Sequence, residues 1–378
     1  MRTKTFIASS HDELARHFET SLADGFVPTL AIVFMSIKQD REAACRLLAA
    51  RGIAIFGATT AGEFIDGEPR EHSTAVMLLE MDPQHFRVYY EEATGTTTHD
   101  IAVKIGETGL RDFARPAFIV ASGGIGTDGE VIVRGIEKAA GSAATIFGGM
   151  AGDDFTMTGT FVFTNDRCTN NGLVVIALDE TKIQVSSLAT SGWKPVGTLR
   201  TITKSEGNIV YTIDDERALD VVIKYMGVSG KLDEWKDVIA NIGSEFPMQL
   251  QREGAPPVMR APLFANKLDR SLVCAGSVPQ GSKIRFSLPP DFDVIDHVVE
   301  ECTRLKGQHE TADAIIMFSC KARHLTLGPL VGTEIERVKE VWSAPLIGFF
   351  SYGEIGRAHQ GKHEFHNNTC CILVIKER

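Results

Sequence analysis

Ile55-Phe56-Gly57-Ala58-Thr59-Thr60-Ala61-Gly62-Glu63 decides how the chain is read, because its pattern recurs. An apolar run reaches a glycine, a short polar stretch follows, and a second glycine meets an acid. The pattern returns as Gly148-Gly149-Met150-Ala151-Gly152-Asp153-Asp154, with one fewer residue between the outer glycines. It returns at full length as Gly348-Phe349-Phe350-Ser351-Tyr352-Gly353-Glu354.

The segments around each loop repeat as well. Leu30 to Met35, Ala117 to Ala121 and Ala314 to Phe318 are near-continuous apolar runs, as expected of strands buried on both faces. Each is followed by a helix-patterned stretch, about Gln39 to Ala50, Gly129 to Ala139 and Glu334 to Val341, and then by the short strand that enters a glycine loop. Ser10-His11-Asp12-Glu13 starts a helix, with Ser10 as cap and Leu14, Phe18 and Leu22 on one face. A further helix is expected from about Phe292 to Leu305, and another within Gly227 to Asp237. Gly192 to Ile213 reads as a surface connection with a short strand over Ile209 to Ile213, and Gln251 to Pro262 as a polar, proline-rich loop containing Arg260. The fold class that follows is mixed α/β, sheets packed with helices, built on a recurring strand-helix-strand-glycine-loop-strand unit. At 378 residues, two domains are expected, 1–215 and 216–378, with the third repeat free to pack beside the first two.

Composition narrows the function. A formal charge of −10 with no long Lys/Arg run argues against nucleic acid as the partner. Seven scattered Cys without a Cys-x-x-Cys pair fit reduced thiols. The N-terminus lacks the apolar stretch of a signal peptide, and no segment reaches the ~20 apolar residues of a membrane span, so a cytoplasmic protein without direct membrane insertion is expected.

Enzyme chemistry finds few carriers. None of the loops is a dinucleotide fingerprint or a Walker A sequence, and Gly123-Gly124-Ile125-Gly126 is the nearest imitation. His359, His363 and His366 lie near Glu354 and Glu364, but on a loop without a helix to fix ligand geometry, so no metal is assigned. Cys320 ends an apolar strand near Arg323 and His324, which makes it the one candidate nucleophile for a hydrolase or transferase; a free Cys at a strand end also serves packing, and no catalytic residue is assigned.

The three loops themselves carry the binding expectation. Strand ends with glycine-rich backbone present N–H groups and one fixed polar side chain to a crevice. The first offers Thr59, Thr60 and Glu63, the second Asp153 and Asp154, and the third Ser351, Tyr352 and Glu354. With Arg260 and Arg323 beside them, these carboxylates would suit a polar or zwitterionic ligand. The alternative is that the glycines serve tight turns and the acids brace the loops by accepting backbone hydrogen bonds.

Ile146-Phe147-Gly148-Gly149-x-Ala151-Gly152-Asp153-Asp154, followed by Gly197, Gly207-Asn208 and Ala218-Leu219, resembles the N-terminal part of FIST proteins. Phe318-Ser319-Cys320-x-x-Arg323, Gly348-Phe349-x-x-x-Gly353-Glu354-Ile355-Gly356 and Phe365-His366-Asn367-x-Thr369 resemble the FIST C-terminal part. The resemblance implies a bacterial sensory protein in signal transduction that binds a small polar metabolite such as an amino acid. With both parts filling the chain, it also implies a stand-alone protein that signals through a separate partner. Some members are haem-binding nitric-oxide sensors, which makes non-covalent haem the alternative, with His366 the histidine inside a family-like motif. Otherwise no cofactor is expected.

Overall fold

The computed structural model describes residues 1–227, 232–288, 291, 293–307 and 310–378. Three six-stranded sheets are built to one plan. In the first, Leu30–Met35 and Ala54–Thr59 run parallel, joined by the helix Arg41–Ala49. Thr74–Glu80 lies antiparallel beside Leu30–Met35, and Arg2–Ala8 flanks it. The second sheet repeats this with the parallel pair Pro116–Gly123 and Ile146–Met150, then Gly172–Asp179 and Phe86–Glu92. The third uses the parallel pair Ala314–Cys320 and Leu346–Ser351, then Cys370–Glu377 and Ile183–Thr190.

Each sheet is completed by a hairpin from another unit. After the first glycine loop the chain crosses to the third sheet, where Glu63–Ile65 pairs with Leu346–Ser351. After the second loop it crosses to the first sheet, where Val162–Phe163 pairs with Ala54–Thr59. After the third loop it crosses to the second sheet, where Glu354–Arg357 pairs with Ile146–Met150. The exchange is cyclic, so each loop is the crossing point between two sheets. Strands from either side of residue 215 therefore share sheets.

One face of every sheet turns to a common core. Phe34 of the first sheet, Phe147 of the second, and Phe318 and Phe349 of the third meet there, with Phe318 5.8 Å from Phe34 and 5.1 Å from both Phe147 and Phe349. Such edge-on aromatic pairs contribute about 0.5–1.5 kcal/mol each beyond their buried area. The outer faces are covered by helices whose apolar stripes were legible in the sequence. Leu14 and Phe18 of His11–Leu22 pack on the first sheet, and Ser10 caps that helix by accepting from the Glu13 amide. Thr98–Asp112 and Gly129–Ala140 cover the second, and Val294–Lys306 and Val331–Trp342 the third.

Between Ile183–Thr190 and Val294–Lys306 the third unit carries an inserted eight-stranded sheet with its own apolar cluster, including Leu219, Ile242, Leu250 and Phe286. It corrects two expectations. The expected connection after Gly192 contains the strand Lys194–Glu206, which pairs with Lys283–Leu288; its register breaks after Val196, where Gly197 has φ +73°. The expected loop Gln251 to Pro262 is a hairpin of Met248–Arg252 with Ala255–Arg260. Pro256 and Pro257 are tolerated because they lie on the edge strand at the register irregularity between Leu250 and Arg252, where neither has a ladder partner. The helix expected within Gly227 to Asp237 is the short Trp235–Val238, continued by a wider turn over Ile239–Gly243, while residues 228–231 lie outside the described residues. Phe292, the expected start of the next helix, also lies outside them; that helix is described from Val294.

Candidate functional site

The three glycine loops converge and hydrogen-bond to one another pairwise. Gly152 N donates to Thr59 O at 2.8 Å and Asp154 N to Thr60 O at 2.8 Å. Ala61 N donates to Phe350 O at 3.0 Å, and Phe350 N returns to Gly62 O at 2.8 Å. Met150 N donates to Gly353 O at 2.8 Å, closing the ring.

The strand glycines explain themselves by packing. Phe163 of the hairpin exchanged into the first sheet lies over Gly57, and a Cβ there would sit 2.1 Å from its ring. Phe64 covers Gly348 in the same way at 2.2 Å, and at Gly148 a Cβ would meet Val120 O at 2.0 Å. At Gly57 and Gly348 the absence of a side chain is what admits the exchanged strands.

The loop acids are occupied within the protein, by their own loops and by the segments packed against them. Glu63 is buried and accepts from Thr60 Oγ1 at 2.6 Å and from Ser73 N at 2.6 Å. Glu354 is placed equivalently, accepting from Ser351 Oγ at 2.6 Å and Thr369 Oγ1 at 2.8 Å. Burial pushes both carboxyls up, against the pull of those hydrogen bonds, to about 7 for Glu63 and about 8 for Glu354. Asp153 differs. Burial alone would raise it, but the Tyr352 hydroxyl and the amides of Gly159, Met157 and Thr158 hold its carboxyl below the ordinary value. Asp154 accepts from Ser36 Oγ at 2.7 Å. Thr59 donates to Gly152 O at 2.7 Å.

Neither arginine is available to a ligand's carboxylate. Arg260 is fully buried and donates to Glu130 Oε2 at 3.0 Å, Ser277 O at 2.9 Å and Phe365 O at 2.8 Å. Arg323 is equally buried in a bidentate pair with Glu334 and lies 5.1 Å from the Trp193 ring centre. Each pair holds its charge in place, since a buried charge without a partner is costly. His366 faces Gly356 O at 3.3 Å, and burial pushes its imidazole down to about 4.

Beside the second and third loops lies a cavity of about 340 Å³. Of the expected site residues, Cys320, Tyr352 and Asn367 line it, as does Ser351. Thr59, Thr60, Glu63, Asp153, Asp154, Arg260, Arg323, Glu354 and His366 do not. The rest of the wall was not anticipated. The turn Gly124 to Asp128 lines the cavity, as do Met150 and Phe365, and Leu263, Cys274, Ala275 and Gly276 of the inserted sheet. Phe155 and Met157 complete it from a segment in which Asp154, Phe155 and Met157 have φ of 55°, 59° and 56°. Left-handed backbone at non-glycine residues costs ~1–3 kcal/mol each and persists only where the surroundings enforce it. Here Asp153 does so by collecting the amides of the segment. The sequence signal that could have found this wall was the Gly123-Gly124-Ile125-Gly126 turn, which sits between a strand and the Asp128-capped helix Gly129–Ala140.

A model of the FIST N domain matches residues 29–216, and one of the FIST C domain matches residues 218–357. The chain belongs to the FIST family. FIST domains are associated with sensory signal transduction and small-ligand binding in general. No curated protein sequence matches the chain. The cavity wall draws on both matched regions: Gly124 to Asp128, Met150 and Asn208 come from FIST N, and Leu263, Cys320 and Tyr352 from FIST C.

Burial, then the neighbouring Glu354 carboxyl, push the Cys320 thiol well up, the opposite of an activated nucleophile. Among the described residues, no group of three or more His, Cys, Asp or Glu side chains is placed to hold a metal ion. No described helix is long and apolar enough to cross a membrane. Haem needs an axial side chain in an apolar slot. His366 does not line the cavity, and Tyr352, which does, donates its hydroxyl to Asp153, so the residues do not fit a His366-ligated haem there.

Proposed function

We propose that this FIST protein is a sensor whose small-molecule ligand occupies the cavity between the second and third glycine loops and the inserted sheet. The observation that carries this reading is the cavity itself: it has the volume of a metabolite site and is walled by both family regions. A ligand there touches the common core on one side and the inserted sheet on the other. Its binding free energy thus favours one arrangement of the two, which is the requirement for a ligand to shift a conformational equilibrium. A separate signalling protein would read that arrangement. The loop acids, in this reading, hold the walls rather than the ligand.

The test is a thermal-shift screen of small metabolites, amino acids included, on the wild-type chain and on Ala275→Trp, which fills the cavity from the inserted sheet. A ligand at ~100-fold excess over Kd should raise Tm by roughly 3 °C in the wild type and not in the variant. Equal shifts in both proteins would place the ligand elsewhere and reject the proposal.

A further inference from the structure

Resting on that reading of the cavity, we infer that the ligand is an uncharged molecule with an apolar body and one hydrogen-bond acceptor, and that the Asn367 carboxamide reads the acceptor.

The charges around the cavity are already used. Asp128 and Lys321 are the charged side chains lining it among the described residues. Asp128 accepts from Ser277 Oγ at 2.6 Å with one oxygen and from the Glu130 amide at 2.9 Å with the other. Lys321 Nζ turns to His324 Nδ1 at 3.1 Å and Glu71 Oε1 at 3.6 Å, neither of which lines the cavity. A ligand carboxylate would therefore find no uncommitted cation here, and an ammonium would find only Asp128, both of whose oxygens already accept hydrogen bonds. A zwitterion would recover only part of its lost hydration.

Most hydroxyls are committed too. Tyr352 donates to Asp153, Ser351 to Glu354 and Ser277 to Asp128. Asn367 is the exception. Its side chain is 1% exposed, and its Oδ1 accepts from the Ala261 amide at 3.2 Å. An amide N–H only donates, so the carboxamide oxygen must face Ala261, and the NH₂ group is turned away from it. Among the described residues that Nδ2 has no acceptor, although Asn367 lines the cavity. A ligand's carbonyl, ether or hydroxyl oxygen in the cavity would give that donor a partner. Neighbouring anchors fix its position: Asn368 Nδ2 donates to Gly243 O and Ser244 O at 3.1 Å, and Cys320 N to Thr369 O at 3.0 Å.

Three probes of matched shape separate the terms: 4-phenyl-2-butanone, which has an apolar body and a carbonyl; butylbenzene, which lacks the acceptor; and L-phenylalanine, which adds both charges. Calorimetric or NMR titration of the wild-type chain should find the ketone bound about tenfold more tightly than either of the others. Asn367→Asp keeps an oxygen for Ala261 N–H but replaces the donor, and should weaken the ketone about tenfold while leaving butylbenzene unchanged. Asn367→Gln, which retains the donor, should lose less, and Tm of both variants reports that they remain folded. Phenylalanine binding as tightly as the ketone, butylbenzene matching it, or an Asn367→Asp variant with undiminished ketone affinity would each overturn the inference, as would no binding by any probe. An amino acid that binds the wild type but not Ala275→Trp would leave the cavity reading standing while this inference falls.

Discussion

The Tyr352 hydroxyl donates to the Asp153 carboxylate, tying the third glycine loop to the second at the wall of the cavity. The same carboxylate gathers the amides of Thr156, Met157, Thr158 and Gly159, so one acid sets the strained segment that carries Phe155 and Met157.

Removing that hydroxyl should loosen the wall without unfolding the chain. Tyr352→Phe is expected to cost ~1.5–3 kcal/mol at pH 7, the usual range for a hydrogen bond to a charged group. Asp153 is held below its ordinary pKa, so its contribution is complete above the unfolded value, about 3.9, and is lost as pH falls through the lower folded value. The variant should therefore lose less stability than the wild type on acidification. Urea unfolding at pH 7 and below pH 4 measures both effects.

Glu63 and Glu354 should give the opposite slope. Their folded pKa values are raised to about 7 and about 8, chiefly by burial, so the folded chain holds protons that the unfolded chain releases. Their stabilising state is fully present below the unfolded value, about 4.3, and is lost as pH rises through the folded values. Glu354→Gln, which mimics the neutral carboxyl, should flatten the decline in Tm between about pH 5 and pH 8. An unchanged slope would mean that Glu354 is ionised in the fold.

The strand glycines should tolerate no side chain. A Cβ at Gly148 would sit 2.0 Å from Val120 O, and one at Gly57 2.1 Å from the Phe163 ring. Gly57→Ala and Gly148→Ala are each expected to cost ~1–3 kcal/mol or more in equilibrium unfolding, with Gly148 worse because a backbone carbonyl cannot rotate away. Gly126→Ala, where a Cβ meets nothing within 4 Å, is the control and should be near neutral.

Cys320 should behave as a wall rather than a nucleophile. With its thiol pushed up by burial and by Glu354, it is expected to resist thiol reagents at pH 7.5 in the native chain and to label after unfolding. Cys320→Ala should keep ligand binding within a few-fold. Rapid native labelling at Cys320 would reopen the enzymatic alternative.

Much of this was legible in the sequence. Leu30 to Met35 is observed at its expected bounds, and the Ser10 cap forms as read, because both are set by local pattern. The cyclic exchange of hairpins was not legible. Glu63–Ile65 is contiguous with one sheet and paired in another, and a choice of partner some 280 residues away leaves no local signal. The glycine loops are equivalent, as their shared pattern implies, yet their acids face inward, because that pattern encodes the crossing between sheets. Tyr352 and Asn367 reached the cavity as polar residues at loop ends. Phe155 and Met157 were invisible there, since an apolar residue in a loop reads like any other until the backbone strain that aims it is known.

Whether the cavity between the loops and the inserted sheet holds a small molecule is decided by native mass spectrometry of the full chain. The protein is purified without added ligand and then titrated with 4-phenyl-2-butanone beside the Ala275→Trp variant. One saturable non-covalent adduct is expected on the wild type and none on the variant. Equal adduct occupancy on both chains, or none on either, would contradict a ligand in this cavity.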